Sequence, residues 1–200
     1  AIDSMNSSKP NETYFSTEYK NGLFPQTIES EIKQRIYGPM EDFKKDLKKV
    51  SRKGLKASEV FEKHRKFLES VGRDVDREVQ TAKSMEAYGS FYKPSYSGLK
   101  EDTERAFSEE VRSLPEKERG TISDLAGGVL NKPRLFGYGH FDRGYWKKAP
   151  NGQIPNLAIE AFGNFYQETV TNPEAIKIIK QYLPKSYNVF NEMLKELASR

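Results

Sequence analysis

The clearest hydrophobic pattern in the chain runs through residues 58–82. Val60, Phe61, His64, Phe67, Leu68, Val71, Val75 and Val79 recur at three- and four-residue spacing, which predicts one amphipathic helix with a buried stripe. Ser58 can cap that helix, and Lys53-Gly54 can end the segment before it. Residues 27–49 are also helical in pattern. An interruption is expected at Gly38-Pro39, because proline lacks the amide donor and disfavours helix at the preceding residue. Tyr14, Phe15, Tyr19, Leu23 and Phe24 surround Asn21-Gly22, a pair that tolerates positive φ, and predict a short hairpin over 14–26.

Further along, 87–98 is aromatic and rich in turn residues, and reads as a loop or short strands. A helix is expected over 99–113 and a short one from Pro115. Residues 127–156 hold six of the 14 glycines and three prolines, and read as a long structured loop with one hairpin. Helix returns near Asn156. Asn172-Pro173 is a cap followed by a first-turn proline. Pro184 separates that helix from a last one carrying Tyr187, Phe190, Met193, Leu194 and Leu197.

Composition narrows the class. The 200 residues carry 33 basic and 29 acidic side chains, a net charge of +4, with 36% hydrophobic residues, no Cys and two His. Disulfides, thiolate metal sites and a cysteine nucleophile are excluded. No apolar run approaches the ~18 residues of a membrane span, and the N-terminus does not resemble a signal peptide. The chain opens Ala-Ile-Asp, as expected of a piece cut from a longer protein. The expected organisation is a polar tail or linker over 1–13, a hairpin and basic helical arm over 14–57, and a domain over 58–200.

Within the amphipathic stripe, Glu69 and Arg73 are four residues apart and can form an ion pair on an exposed face. The same segment, Phe67-Leu68-Glu69-Ser70-Val71-Gly72-Arg73-Asp74-Val75-Asp76, can be set against the zinc helix H-E-x-G-H-x-[IV]-D, in which two imidazoles one turn apart bind one metal ion. Gly72, Val75 and Asp76 match that frame. Glu69, Ser70 and Arg73 stand at its three chemical positions. The segment resembles the zinc helix of a lethal-factor-like zincin with its chemistry removed.

A second set of motifs follows in order: Ile122-Ser123-Asp124, Gly127-Gly128, Gly137-Tyr138-Gly139-His140, Tyr145-Trp146, Glu160-Ala161-Phe162, Asn172-Pro173-Glu174, and Pro184-Lys185-Ser186-Tyr187 with Phe190, Met193 and Leu194. In content and order they resemble the C-terminal region of phage minor head proteins of the Mu F-type head-morphogenesis group. The likeness spans roughly 58–197. It implies an α+β, mainly helical fold, with a zincin-like core, a long Gly-rich loop and an N-terminal helical arm. It implies a non-catalytic role in the virion, with portal and capsid proteins as partners and packaged DNA as a further one. The implied location is the phage head, or the bacterial host cytoplasm during assembly. Glu160 resembles the third metal ligand of active members. With Arg73 in place of a ligand, no metal and no cofactor are expected, and the guanidinium is expected to bridge toward Glu160, Glu69 or both.

Other candidates carry weaker signals. His140, Tyr145 and Trp146 lie in the Gly-rich segment, and with Asp76 are candidates for lining a cleft. His140 is read first as a loop tether, and His64 as a satisfied histidine on the buried stripe. Seven of the 13 residues over 44–56 are Lys or Arg. Lys45, Lys48, Lys49 and Arg52 fall near one helical face, which suits a solvated surface or nonspecific phosphate contact. Two alternatives to the structural role stay open: a hydrolase or toxin-like domain with a rearranged site using His140 and Glu160, and a DNA-binding module led by residues 44–56.

Overall fold

The computed structural model describes residues 14–50, 54–90, 92, 94–95, 97–137, 139–142 and 144–200. The expected tail over 1–13, Lys53, Tyr138 and the nucleic-acid candidate Arg52 lie outside the described residues. In chain order the helices are α1 (Phe15–Glu18), α2 (Leu23–Val50), α3 (Ala57–Lys63), α4 (Arg65–Ser70), α5 (Val75–Ala87) and α6 (Leu99–Ser113). They continue as α7 (Glu116–Leu130), α8 (Pro133–Phe136), α9 (Pro155–Thr171), α10 (Pro173–Tyr182) and α11 (Pro184–Ala198).

Among the described residues there is no strand. The expected α+β class and its zincin-like core are therefore corrected to an all-helical fold. Both expected hairpins fail for local reasons. Lys20, Asn21 and Gly22 do take positive φ, at 44°, 61° and 81°, but the turn they make joins α1 to α2. Beyond it, Phe24, Ile28, Ile32 and Ile36 are buried at four-residue spacing, a helical period. The second hairpin was expected within 127–156. There, Gly127 and Gly128 belong to the last turns of α7.

The described residues form two compact units, one within 1–34 and 108–200, the other within 35–107. The units part inside α2 and α6, not at the expected boundary near residue 57. The expected break at Gly38-Pro39 is also absent, and α2 runs through Pro39. A mid-helix proline costs about 3 kcal/mol. Met40 and Phe43 continue the buried stripe beyond it, and their burial outweighs that cost.

In the 35–107 unit, Met40, Phe43, Val60, Phe61, Leu68, Val71, Val75, Val79 and Leu99 share one core. Most of the stripe is buried as expected, with His64 and Phe67 only partly so, but three short helices carry it instead of one long one. His64 breaks the first two, with its ring 3.0 Å from Asp46 of α2. Gly72, at φ 79°, ends the second. Its amide donates to Glu69 O and the Arg73 amide donates to Leu68 O, both at 2.9 Å, the paired bonds of a glycine-terminated helix. Asp74 then caps α5 by accepting from the Arg77 amide.

Asp46 accepts from Lys49 at 2.5 Å and Lys63 at 2.6 Å, besides facing His64. These partners, Lys49 foremost, hold its carboxyl below the ordinary carboxylate range. A depressed folded value stabilises the folded state fully above the unfolded value of about 3.9, and that contribution is lost as the pH falls through the folded value. Asp46→Asn is thus expected to lower the thermal midpoint at neutral pH, with the gap from the parent narrowing below about pH 4. A gap of constant size across that range, measured by circular dichroism, would refute the assignment.

The other unit is built around α7, in which every residue from Thr121 to Val129 is buried. A helix buried on all faces needs small residues where neighbours come close. A Cβ at Gly127 would stand 2.9 Å from the Pro133 backbone, and one at Gly128 would stand 2.5 Å from the Trp146 ring. Around α7, Phe162, Phe165 and Phe190 meet edge-on at 5.4 and 5.6 Å. Asn172 caps α10 as expected. The start of α11 has no cap of its own. Glu31 of α2 supplies one, accepting from the Lys185 and Ser186 amides at 2.8 Å and from Ser186 Oγ at 2.6 Å.

Candidate functional site

The Gly-rich segment after α8 folds over the middle of α7. Its entry is tied down by side chains: Ser108 Oγ donates to Leu135 O at 2.7 Å, and Arg112 donates to the same oxygen at 2.5 Å. Gly137 and Gly139 then take positive φ, at 75° and 109°. At Gly139 nothing larger fits, since a Cβ would lie 2.1 Å from Asp124 Oδ1. That approach lets the His140 amide donate to Asp124 Oδ1 at 2.7 Å. Trp146, buried against Gly128, donates its indole N–H back to His140 O at 3.0 Å.

His140 is held from several directions, although 45% of its side chain stays exposed. Its Nδ1 lies 3.2 Å from Asp124 Oδ2, and its Nε2 lies 3.8 Å from Glu160 Oε1. Its ring stacks on Tyr145 at 4.2 Å, and the Tyr145 hydroxyl donates to the same Glu160 oxygen. Asn156, in the first turn of α9, fixes Tyr145 by donating to its carbonyl at 2.7 Å. Glu160 projects from the next turn of α9. The expected tether is therefore present, and the same imidazole also lines an open cleft of about 510 Å³.

The cleft is acidic. Asp124, Glu160 and Glu168 line it, and its described lining contains no Lys or Arg. Burial raises the Asp124 carboxyl, with the Glu160 charge adding to the rise and the His140 hydrogen bonds opposing it. Burial also raises Glu168, against a hydrogen bond from Asn172. The Tyr145 phenol is raised by burial and by Glu160, so it stays a hydrogen-bond donor at neutral pH. An imidazole with a carboxylate facing each nitrogen can relay a proton or share a cation with them.

The remaining candidates lie elsewhere. Glu69 ends α4 paired with Arg65 at 3.2 Å, and Ser70 donates to the Phe67 carbonyl. Arg73 pairs with Asp102 at 3.3 Å and donates to Ser97 O, so it bridges to neither Glu69 nor Glu160. The zinc-helix frame needs its chemical positions on one helical turn, and α4 stops at Ser70. Glu69, Ser70 and Arg73 belong to the 35–107 unit and Glu160 to the other. Asp76 pairs with Arg65 at 2.9 Å and lines no part of the Glu160 cleft. Lys45, Lys48 and Lys49 share α2. The first two are exposed, and Lys49 is paired with Asp46.

Asp124 is the cleft residue that was not among the sequence-predicted candidates, although its motif was recognised. The signal was available: a carboxylate set among the small and apolar residues 120–130, ahead of a histidine in a glycine-rich segment. No family model matches the chain, and no curated protein or solved structure matches it either.

Proposed function

We propose that the chain is a minor head protein of a tailed-phage particle, acting as a structural component and not as a peptidase. One observation supports this reading: the motifs that carry the resemblance form a single physical assembly. Asp124 of the first motif accepts from His140, Gly128 receives the Trp146 ring, Tyr145 donates to Glu160, and Phe162 meets Phe190 edge-on. Motifs far apart in the chain thus depend on one another for packing. The partners are the portal and the capsid shell, and packaged DNA is the partner for the exposed Lys45 and Lys48.

Co-expression of the chain with the portal and shell proteins of its phage, followed by purification of heads, tests the proposal. The chain is expected in the heads at a fixed copy number by mass spectrometry. Heads that assemble without it while it is present in the same cells would reject the reading.

A second reading, a hydrolase with a rearranged site, is favoured by one feature: Asp124 supplies the orienting carboxylate that His140 needs for acid–base work. Its test is hydrolysis of a protein or nucleic-acid substrate by the purified chain, with the activity abolished in His140→Gln.

A further inference from the structure

We propose that Asp124, His140 and Glu160 form a binding site for one divalent transition-metal cation, of the zinc or manganese class. One donor atom from each residue can be chosen so that all lie within 4.8 Å of one another. Donors held about 2.0–2.2 Å from one ion in a tetrahedral arrangement stand about 3.3–3.6 Å apart, so side-chain rotations that move the widest-spaced donor by about an ångström close the set. Two carboxylates and one imidazole are a hard-to-borderline donor set suited to these ions. Three protein donors with an open side toward the cleft leave coordination positions for water or a ligand.

Charge supplies a second, independent argument. The Asp124 side chain is only 5% exposed, and the carboxylates of Asp124 and Glu160 face the same imidazole. Buried negative charge calls for a compensating cation. The chain has 33 Lys and Arg, yet the described lining of this cleft contains neither. Among the described residues, a divalent ion meets that need where no Lys or Arg does.

The backbone keeps the donors in place before any ion arrives. Gly139 lets the His140 amide bind Asp124, and Trp146 holds the His140 carbonyl. Tyr145 occupies one Glu160 oxygen. It competes with the ion for that atom, or swings to the other oxygen once the ion is bound. The site is equally compatible with a structural and a hydrolytic role. Its test is therefore independent of both readings above.

Isothermal titration of the untagged full chain with ZnCl2 and with MnCl2 tests the proposal. One ion per chain is expected for at least one of the two, together with a rise in thermal midpoint. His140→Gln and Glu160→Gln alter partly exposed side chains, and each is expected to weaken binding at least about tenfold with unchanged circular dichroism. Tyr145→Phe is expected to bind as tightly as the parent or more tightly. Two results would overturn the site: no heat and no thermal shift with either ion at millimolar concentration, or parental affinity in both glutamine variants.

Discussion

Trp146→Ala is expected to cost the 1–34 and 108–200 unit about 3–5 kcal/mol, the range for removing a buried aromatic side chain. The indole is 2% exposed. It packs on Gly128, meets Tyr145 edge-on at 5.1 Å and His140 at 5.9 Å, and donates to His140 O. Truncation leaves a cavity between α7 and the Gly-rich segment, and it frees the carbonyl that anchors His140. The cavity cannot close readily, because α7 is packed on its other faces. Gly128→Ala approaches the same contact from the opposite side, where the added methyl must displace the ring, and costs about 1–3 kcal/mol. Urea denaturation followed by far-ultraviolet circular dichroism measures both, since Trp146 is the one tryptophan and its fluorescence is lost in the first variant. A Trp146→Ala midpoint equal to that of the parent would contradict the packing described.

Phe43→Ala is expected to cost the 35–107 unit a similar amount, about 3–5 kcal/mol. Phe43 is 2% exposed, and its ring lies 5.7 Å from Phe61, 5.5 Å from His64 and 6.1 Å from Phe67. It therefore joins α2 to both α3 and α4, and removing it loosens the His64 contact with Asp46 as well. Phe67→Ala is the informative comparison. Phe67 belongs to the same sequence stripe but is only partly buried, so its loss is expected to be smaller. Equal losses at 43 and 67 in denaturant titrations would mean that the stripe is buried evenly, as in one continuous helix.

The proposed metal site changes what the cleft can do. Without a cation, Asp124 and Glu160 repel each other across His140. With one, the attraction of each carboxylate to the ion outweighs that repulsion, and α7, α9 and the Gly-rich segment gain a common tie. In a head protein such a tie stabilises the unit. In a hydrolase the same ion would polarise a bound water or carbonyl.

Local chemistry made much of the helical framework legible. The period of Val60, Phe61, Leu68, Val71, Val75 and Val79 marked a buried stripe, and each of these residues is at most 4% exposed. Asn172-Pro173 and Pro184 marked helix starts because a side-chain acceptor and a preset φ act on the next few residues alone. Asn21-Gly22 marked a turn for the same reason, although not what the turn connects. The end of α4 and the start of α5 were also written locally, in Gly72 and Asp74. Setting the segment against a zinc helix assigned Gly72 to a different role.

The sequence by itself determined where hydrophobic stripes, caps and turns fall, because these depend on neighbours within a turn or two of helix. Only the tertiary structure decided that Pro39 stays inside a helix, that Gly127 and Gly128 lie within the last turns of a buried helix, that Glu31 caps α11, and that Asp124, His140 and Glu160 share a cleft. Each of those outcomes rests on contacts between segments distant in the chain, whose packing and charge outweigh the preference of any single residue.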